Sequence, residues 1–239
     1  MSEENPISKS DRYKAALVHL LTASGAFVAL LALAALHLDR PRDVLLLLLA
    51  ALVIDGIDGP LARRYRVGEA LPGIDGATLD LIIDFLTYVL IPVLYLLQYQ
   101  LLPAGWNWAG ASAILLSSLY LFVNTDMKSE DNYFNGFPAA WNLVLVFWVL
   151  AGTGSLFNVI TAFGLSILSV VPVKSVHPVR VEKARMFNIS LAVLWVLLSA
   201  LLLLDPTGPG TGEISLPWLL WLAVTLWFPG FSLLRTFRR

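Results

Sequence analysis

Eight stretches of this chain are too apolar for water to be the solvent around them. They run over Ala15–Leu38, Asp43–Ala62, Ala77–Leu101, Trp108–Asn124, Phe137–Leu150, Leu156–Val173, Met186–Leu204 and Pro217–Leu233. An α-helix rises about 1.5 Å per residue, so roughly 20 apolar residues cross the ~30 Å hydrocarbon layer of a bilayer. The segments therefore read as membrane-crossing helices, the fifth being short and either tilted or started deeper. The expected fold class is an all-α polytopic membrane bundle of about eight transmembrane helices. Composition agrees: hydrophobic residues make up 58% of the chain and charged ones 14%, with a mean hydropathy of +0.75. A soluble domain of 239 residues could not bury that much apolar surface. The first run is too long for a signal-peptide core and reads as a retained span.

The connections are short and carry turn residues: Asp39-Arg40-Pro41, Pro103-Ala104-Gly105, Gly152-Thr153-Gly154, and Asp205-Pro206 through Gly212. Alternate connections hold Lys9, Arg12 and Lys14, then Arg63, Arg64 and Arg66, then Lys128, then Lys174, Arg180, Lys183 and Arg185, then Arg235, Arg238 and Arg239. These are 14 of the 16 basic residues; the opposite loops hold only Arg40 and Arg42. The positive-inside rule then places both termini in the cytoplasm. Residues 1–14 read as a polar cytoplasmic segment and 15–204 as the transmembrane catalytic core. Residues 205–239 read as a periplasmic loop, a last span and a basic C-terminus. A net charge of −1 argues against a nucleic-acid partner, and the absence of cysteine excludes disulfides, thiolate metal sites and cysteine nucleophiles.

The informative stretch is Val53 to Tyr88. Asp55 and Asp58 are three residues apart near the cytoplasmic end of the second span, and Asp80 and Asp84 are four apart near the start of the third. Both spacings put a pair on one helix face. Asp55 lies about 12 Å inward from Arg63, and Asp84 about 12 Å inward from Gly76, so two antiparallel helices bring four carboxylates to a similar depth. Unpaired, they would cost on the order of 10–14 kcal/mol at roughly 2.5–3.5 kcal/mol each. Arg63, Arg64 and Arg66 could snorkel to them, but these arginines sit on the loop. Two divalent cations would balance the charge, and all-oxygen ligands suit Mg²⁺ or Mn²⁺. Gly56 and Gly59 flank Asp58, and Gly76 opens the third helix. Such glycines serve helix packing, or let a phosphate ligand approach the backbone near a helix N-terminus.

Asp55-x2-Asp58-Gly59-x2-Ala62-Arg63, twelve residues, then Gly76-x3-Asp80-x3-Asp84 resembles the signature of the CDP-alcohol phosphotransferases. The usual spacer of that family is shorter. The twelve-residue form is similar to the bacterial subgroup that uses choline as acceptor. Three further stretches look like that subgroup: Val18 to Gly25, Asn135 to Asn142 and Val176 to Val181. The resemblance implies an enzyme of phospholipid biosynthesis in the bacterial inner membrane, with its active site near the cytoplasmic face. It would move the phosphatidyl group of CDP-diacylglycerol to choline and release CMP. Asp55, Asp58, Asp80 and Asp84 would bind metal, with Asp84 also the general base. Gly59, Ala62 and Gly76 would make room for the cytidine nucleotide, and Arg63 would contact its phosphates. The last two spans go beyond the six-helix core usual in the family, and a homodimer is implied.

Arg180, with Lys183, is a candidate for holding a lipid phosphate, although both also read as ordinary positive-inside loop residues. Choline carries a quaternary ammonium, whose expected partner is an aromatic face. Tyr88, one turn beyond Asp84, is the first candidate, with Tyr133 and Trp141 beside it; Trp and Tyr also gather at membrane interfaces without binding anything. His19, in the first span, reads as a hydrogen-bonded packing residue. Two other functions are compatible with parts of the pattern: the same chemistry on serine, inositol phosphate or glycerol phosphate, and cation transport with the aspartates as a relay. A transporter would need neither Ala62-Arg63 nor the glycines, and it would be expected to carry broken helices in a repeated arrangement, which the chain does not show.

Overall fold

The computed structural model describes residues 7–124, 134–135, 137–171, 174–175, 185–205 and 215–237. All eight apolar segments are helical there. The helices are α1 (Lys9–His37), α2 (Pro41–Arg64), α3 (Val67–Ala70), α4 (Gly76–Asp84), α5 (Ile91–Gln98), α6 (Asn107–Val123), α7 (Trp141–Leu150), α8 (Ser155–Val170), α9 (Arg185–Leu204) and α10 (Leu216–Phe237). A π-helical segment, Phe85–Leu90, joins α4 to α5 into one continuous helix, Gly76–Gln98. Two residues of β1 (Phe134–Asn135) pair antiparallel with β2 (Lys174–Ser175). By length and composition, four helices can cross a membrane: Lys9–His37, Pro41–Arg64, Gly76–Gln98 and Met186–Leu204. The other four apolar helices are shorter. The fifth starts at Trp141 rather than Phe137 because Pro138 disfavours a helical Phe137 and Ala139 takes a left-handed φ of 55°.

Residues up to Ile91 form one compact unit and those from Pro92 onward a second. This boundary lies inside the expected core of 15–204. The expected polar segment 1–14 is also partly helical, because Ser8 and Asp11 form a reciprocal capping box that starts α1 at Lys9.

In the first unit α1 packs on α2. Its buried face runs Ala15, Val18, Thr22, Gly25, Ala29, Ala32 and Leu36, a three-four spacing of mostly small residues that lets backbones approach. The opposite face, with Leu17, Leu20, Phe27 and Leu30, is exposed and apolar, as lipid contact requires. Gly25 meets α4 closely: a Cβ there would lie 2.6 Å from Ile83 Cγ2. The short α3, absent from the sequence expectation, closes over Ala15 and Val18 with Val67 and Ala70. Pro41 opens α2 at a position where its missing N–H costs nothing.

In the second unit, tryptophan indoles tie helices together. Trp141 Nε1 donates to Ser118 Oγ (3.0 Å), Trp148 to Thr161 (3.1 Å), Trp195 to Thr225 (2.8 Å) and Trp221 to Ser199 (2.9 Å). Asn107 organises the turn after α5, accepting from the Leu102 N–H at 3.0 Å and donating to Gln100. Gly105 and Gly152 adopt left-handed φ values of 84° and 59° in the expected turns.

Candidate active site

The site lies wholly in the first unit, where α2 faces α4. Asp80 and Asp84 share one face of α4, and Asp55 comes from α2. Each offers a carboxylate oxygen, and the three oxygens lie within 4.8 Å of one another. At that separation each pair of charges repels by about 3–4 kcal/mol at an effective dielectric of 20. Three pairs give roughly 10 kcal/mol, comparable to the whole stability of a domain, and a bound cation would relieve that repulsion. Three converging carboxylates are a donor set for a hard divalent ion such as Mg²⁺ or Mn²⁺, and the residues present fit one.

Asp58 stands apart from that trio. It is 5% exposed and lies beside Thr22 of α1, whose hydroxyl donates to the Val18 carbonyl at 3.3 Å. The four aspartates are therefore arranged as three and one. The three-residue step keeps both on one broad face of α2, and α1, packed against α2, is what Asp58 meets while Asp55 faces α4.

The arginines at the end of α2 have other neighbours. Arg66 pairs with Glu69 at 2.7 Å, and the Arg64 guanidinium lies 5.8 Å from the centre of the Tyr65 ring. Arg63 folds back along α2, its Nη1 3.6 Å from where a Cβ on Gly59 would stand. Among the described residues, none lies within 4 Å of a Cβ built on Gly56. None of them thus requires glycine at 56 or 59, which leaves room for a ligand as the reason. Gly76 differs, since a Cβ there would lie 2.7 Å from His19 Cε1. The imidazole covers the start of α4. His19 is 8% exposed, and its Nε2 is buried without a hydrogen-bond partner among the described residues. The expected packing role is seen and the expected hydrogen bond is not, because the ring abuts a glycine Cα, which offers no acceptor. Asp75 caps α4 by accepting from the Thr78 N–H and hydroxyl at 3.0 and 2.6 Å. Those bonds hold its carboxyl below the ordinary carboxylate range.

Tyr88, expected as a choline-binding ring, directs its hydroxyl at the aspartates, donating to Asp55 Oδ2 at 2.5 Å. Trp141 belongs to the second unit, is 2% exposed and packs edge-on to Phe137. Ala62 lines the small core under α3. Tyr133, Arg180 and Lys183 lie outside the described residues. Three contacts were not legible beforehand: Thr22 on Asp58, His19 on Gly76 and Gly25 on Ile83. Their only sequence signal was the stretch Val18 to Gly25, which carries all three α1 residues.

No family model matches the chain. It is 43% identical to a phosphatidylcholine synthase of Pseudomonas aeruginosa over 235 residues, 98% of this chain and 95% of that one. It is 43% identical to one of Mesorhizobium japonicum over 188 residues, 78% of this chain and 69% of the relative. A third, from Rhizobium meliloti, is 39% identical over 194 residues, 80% of each.

Proposed function

Because the chain belongs to the phosphatidylcholine synthase family, we propose that it transfers the phosphatidyl group of CDP-diacylglycerol to choline and releases CMP. The observation that carries the chemistry is the convergence of Asp55, Asp80 and Asp84 within 4.8 Å. In this reading those three, with Asp58 for a second ion, hold Mg²⁺ or Mn²⁺. When bound, the metal supplies charge neutralisation to the pyrophosphate and to the departing phosphate. Asp84 takes the proton from the choline hydroxyl. The choline oxygen bonds to the phosphorus that bears diacylglycerol, the bond from that phosphorus to the CMP oxygen breaks, and CMP leaves. Gly59, Ala62 and Gly76 admit the cytidine nucleotide, and Arg63, folded over Gly59, reaches its phosphates. Arg180 and Lys183 hold a lipid phosphate, and aromatic faces, Tyr88, Tyr133 and Trp141 among them, hold the choline head.

The proposed setting is a bacterial inner membrane crossed by about eight helices, with both termini and the active site on the cytoplasmic side. The protein would act as a homodimer. The apolar outer face of α1 and the alternation of basic loops support the membrane part of this reading. The test is product analysis with purified protein, CDP-diacylglycerol and labelled choline, serine, glycerol 3-phosphate and inositol phosphate. Phosphatidylcholine and CMP in equal amounts are expected. Product from another alcohol, with none from choline, would leave the metal chemistry standing and overturn the acceptor.

A further inference from the structure

We propose that Tyr88 is a positioning residue, its hydroxyl fixing Asp55 in the orientation that binds the metal. The proposal rests on the metal reading above. A carboxylate has two oxygens, and the Tyr88 hydroxyl occupies one of them, Oδ2 of Asp55, from 33 residues away in sequence. That bond crosses from the α4–α5 helix to α2, so one strut ties the two elements that supply the three metal-binding oxygens. Outer partners of this kind set the orientation of a ligating side chain, and their loss typically costs 10–100-fold in metal affinity.

The local backbone is shaped for it. Tyr88 sits in the π-helical segment Phe85–Leu90, where the Ile91 N–H reaches back to the Leu86 carbonyl, five residues away. Single π turns concentrate at functional positions. A cause for this one is at hand: Pro92 has no N–H to give the Tyr88 carbonyl, and its ring crowds that carbonyl in a regular α-helix. The wider turn alters the angle at which Tyr88 leaves the helix after Asp84. Thr87, 2% exposed, anchors the same turn by donating from its hydroxyl to the Ile83 carbonyl at 3.0 Å. A ring that served choline alone would have no need of its hydroxyl on Asp55.

Tyr88→Phe separates the two roles because it keeps the ring and removes the donor. Mn²⁺ binding is read directly by electron paramagnetic resonance on detergent-purified protein without substrate, and Michaelis constants are measured at saturating Mn²⁺. The expected result is a 10–100-fold weaker Mn²⁺ affinity with a choline KM within two-fold of the parent. Parental Mn²⁺ affinity in the phenylalanine variant overturns the proposal. A second series guards against misfolding: fluorinated tyrosines at position 88 keep the shape and change the donor strength. Mn²⁺ affinity should follow donor strength across the series, and a flat series also overturns the proposal. A parent that binds no Mn²⁺ would instead remove the metal reading, and this inference with it.

Discussion

At the residue scale the glycines divide into two kinds that the sequence alone could not tell apart. A Cβ at 76 collides with the His19 ring, whereas one at 56 meets none of the described residues and one at 59 stands 3.6 Å from Arg63. Gly76→Ala should therefore destabilise the protein by about 1–3 kcal/mol, as overpacking does, read as a lowered thermal midpoint. Gly59→Ala should melt like the parent and lose turnover, with a raised KM for CDP-diacylglycerol. A loss of stability at Gly59 would mean that the residue serves packing and not the nucleotide. Asp84→Asn should lose about 10²–10⁴-fold in turnover while CDP-diacylglycerol binding falls less; near-normal turnover would assign the base elsewhere. The aspartates themselves were legible because carboxylates inside apolar helices have few tolerable explanations. The three-and-one arrangement was not, since spacing puts Asp55 and Asp58 on one broad face and only the position of α1 decides which neighbour each meets.

At the element scale, hydrophobic length located every long helix among the described residues and missed the four-residue α3, while ends and interruptions depended on local bonds. The Ser8–Asp11 box lengthens α1 beyond its apolar run, and Pro138 shortens α7. The π segment has no periodicity signal, because one wide turn shifts an apolar pattern that is apolar on all sides. The small face of α1 explains how the helix bearing Asp80 and Asp84 comes close enough to meet His19 and Gly25. Gly25→Ala should cost about 1–3 kcal/mol, because Ile83 is branched at Cβ and cannot swing its Cγ2 aside cheaply. In the Gly25→Ala, Ile83→Ala double variant much of that cost should return, giving a non-additive cycle. Strict additivity in thermal melts would show that this contact does not set the helix spacing. The cap at Asp75 carries a pH sign: its carboxyl titrates lower folded than unfolded, so its contribution to α4 is present above the ordinary carboxylate range. That contribution fades as pH falls through the folded value.

At the scale of the whole molecule, the proposed metal site joins Asp55, Asp80 and Asp84, and a bound cation would balance their charge. Chelation with EDTA should abolish turnover and lower the thermal midpoint, and Mn²⁺ or Mg²⁺ should restore both. A ligand at a hundred times its dissociation constant stabilises by ~2.7 kcal/mol. Full turnover in chelator would refute the metal site. How such a measurement is made is itself constrained by the chain. All eight tryptophans lie at Trp106 or later, and the residues up to Ile91 contain none, only Tyr13, Tyr65 and Tyr88 as phenols. Indole emission therefore arises from the second unit alone: a melt followed at tryptophan wavelengths reads first the helices stapled by indole–hydroxyl bonds, and the unit that holds the aspartates has phenols as its own reporters. Ion binding should appear in the ultraviolet signature of the phenols, above all Tyr88, before it appears in any tryptophan signal.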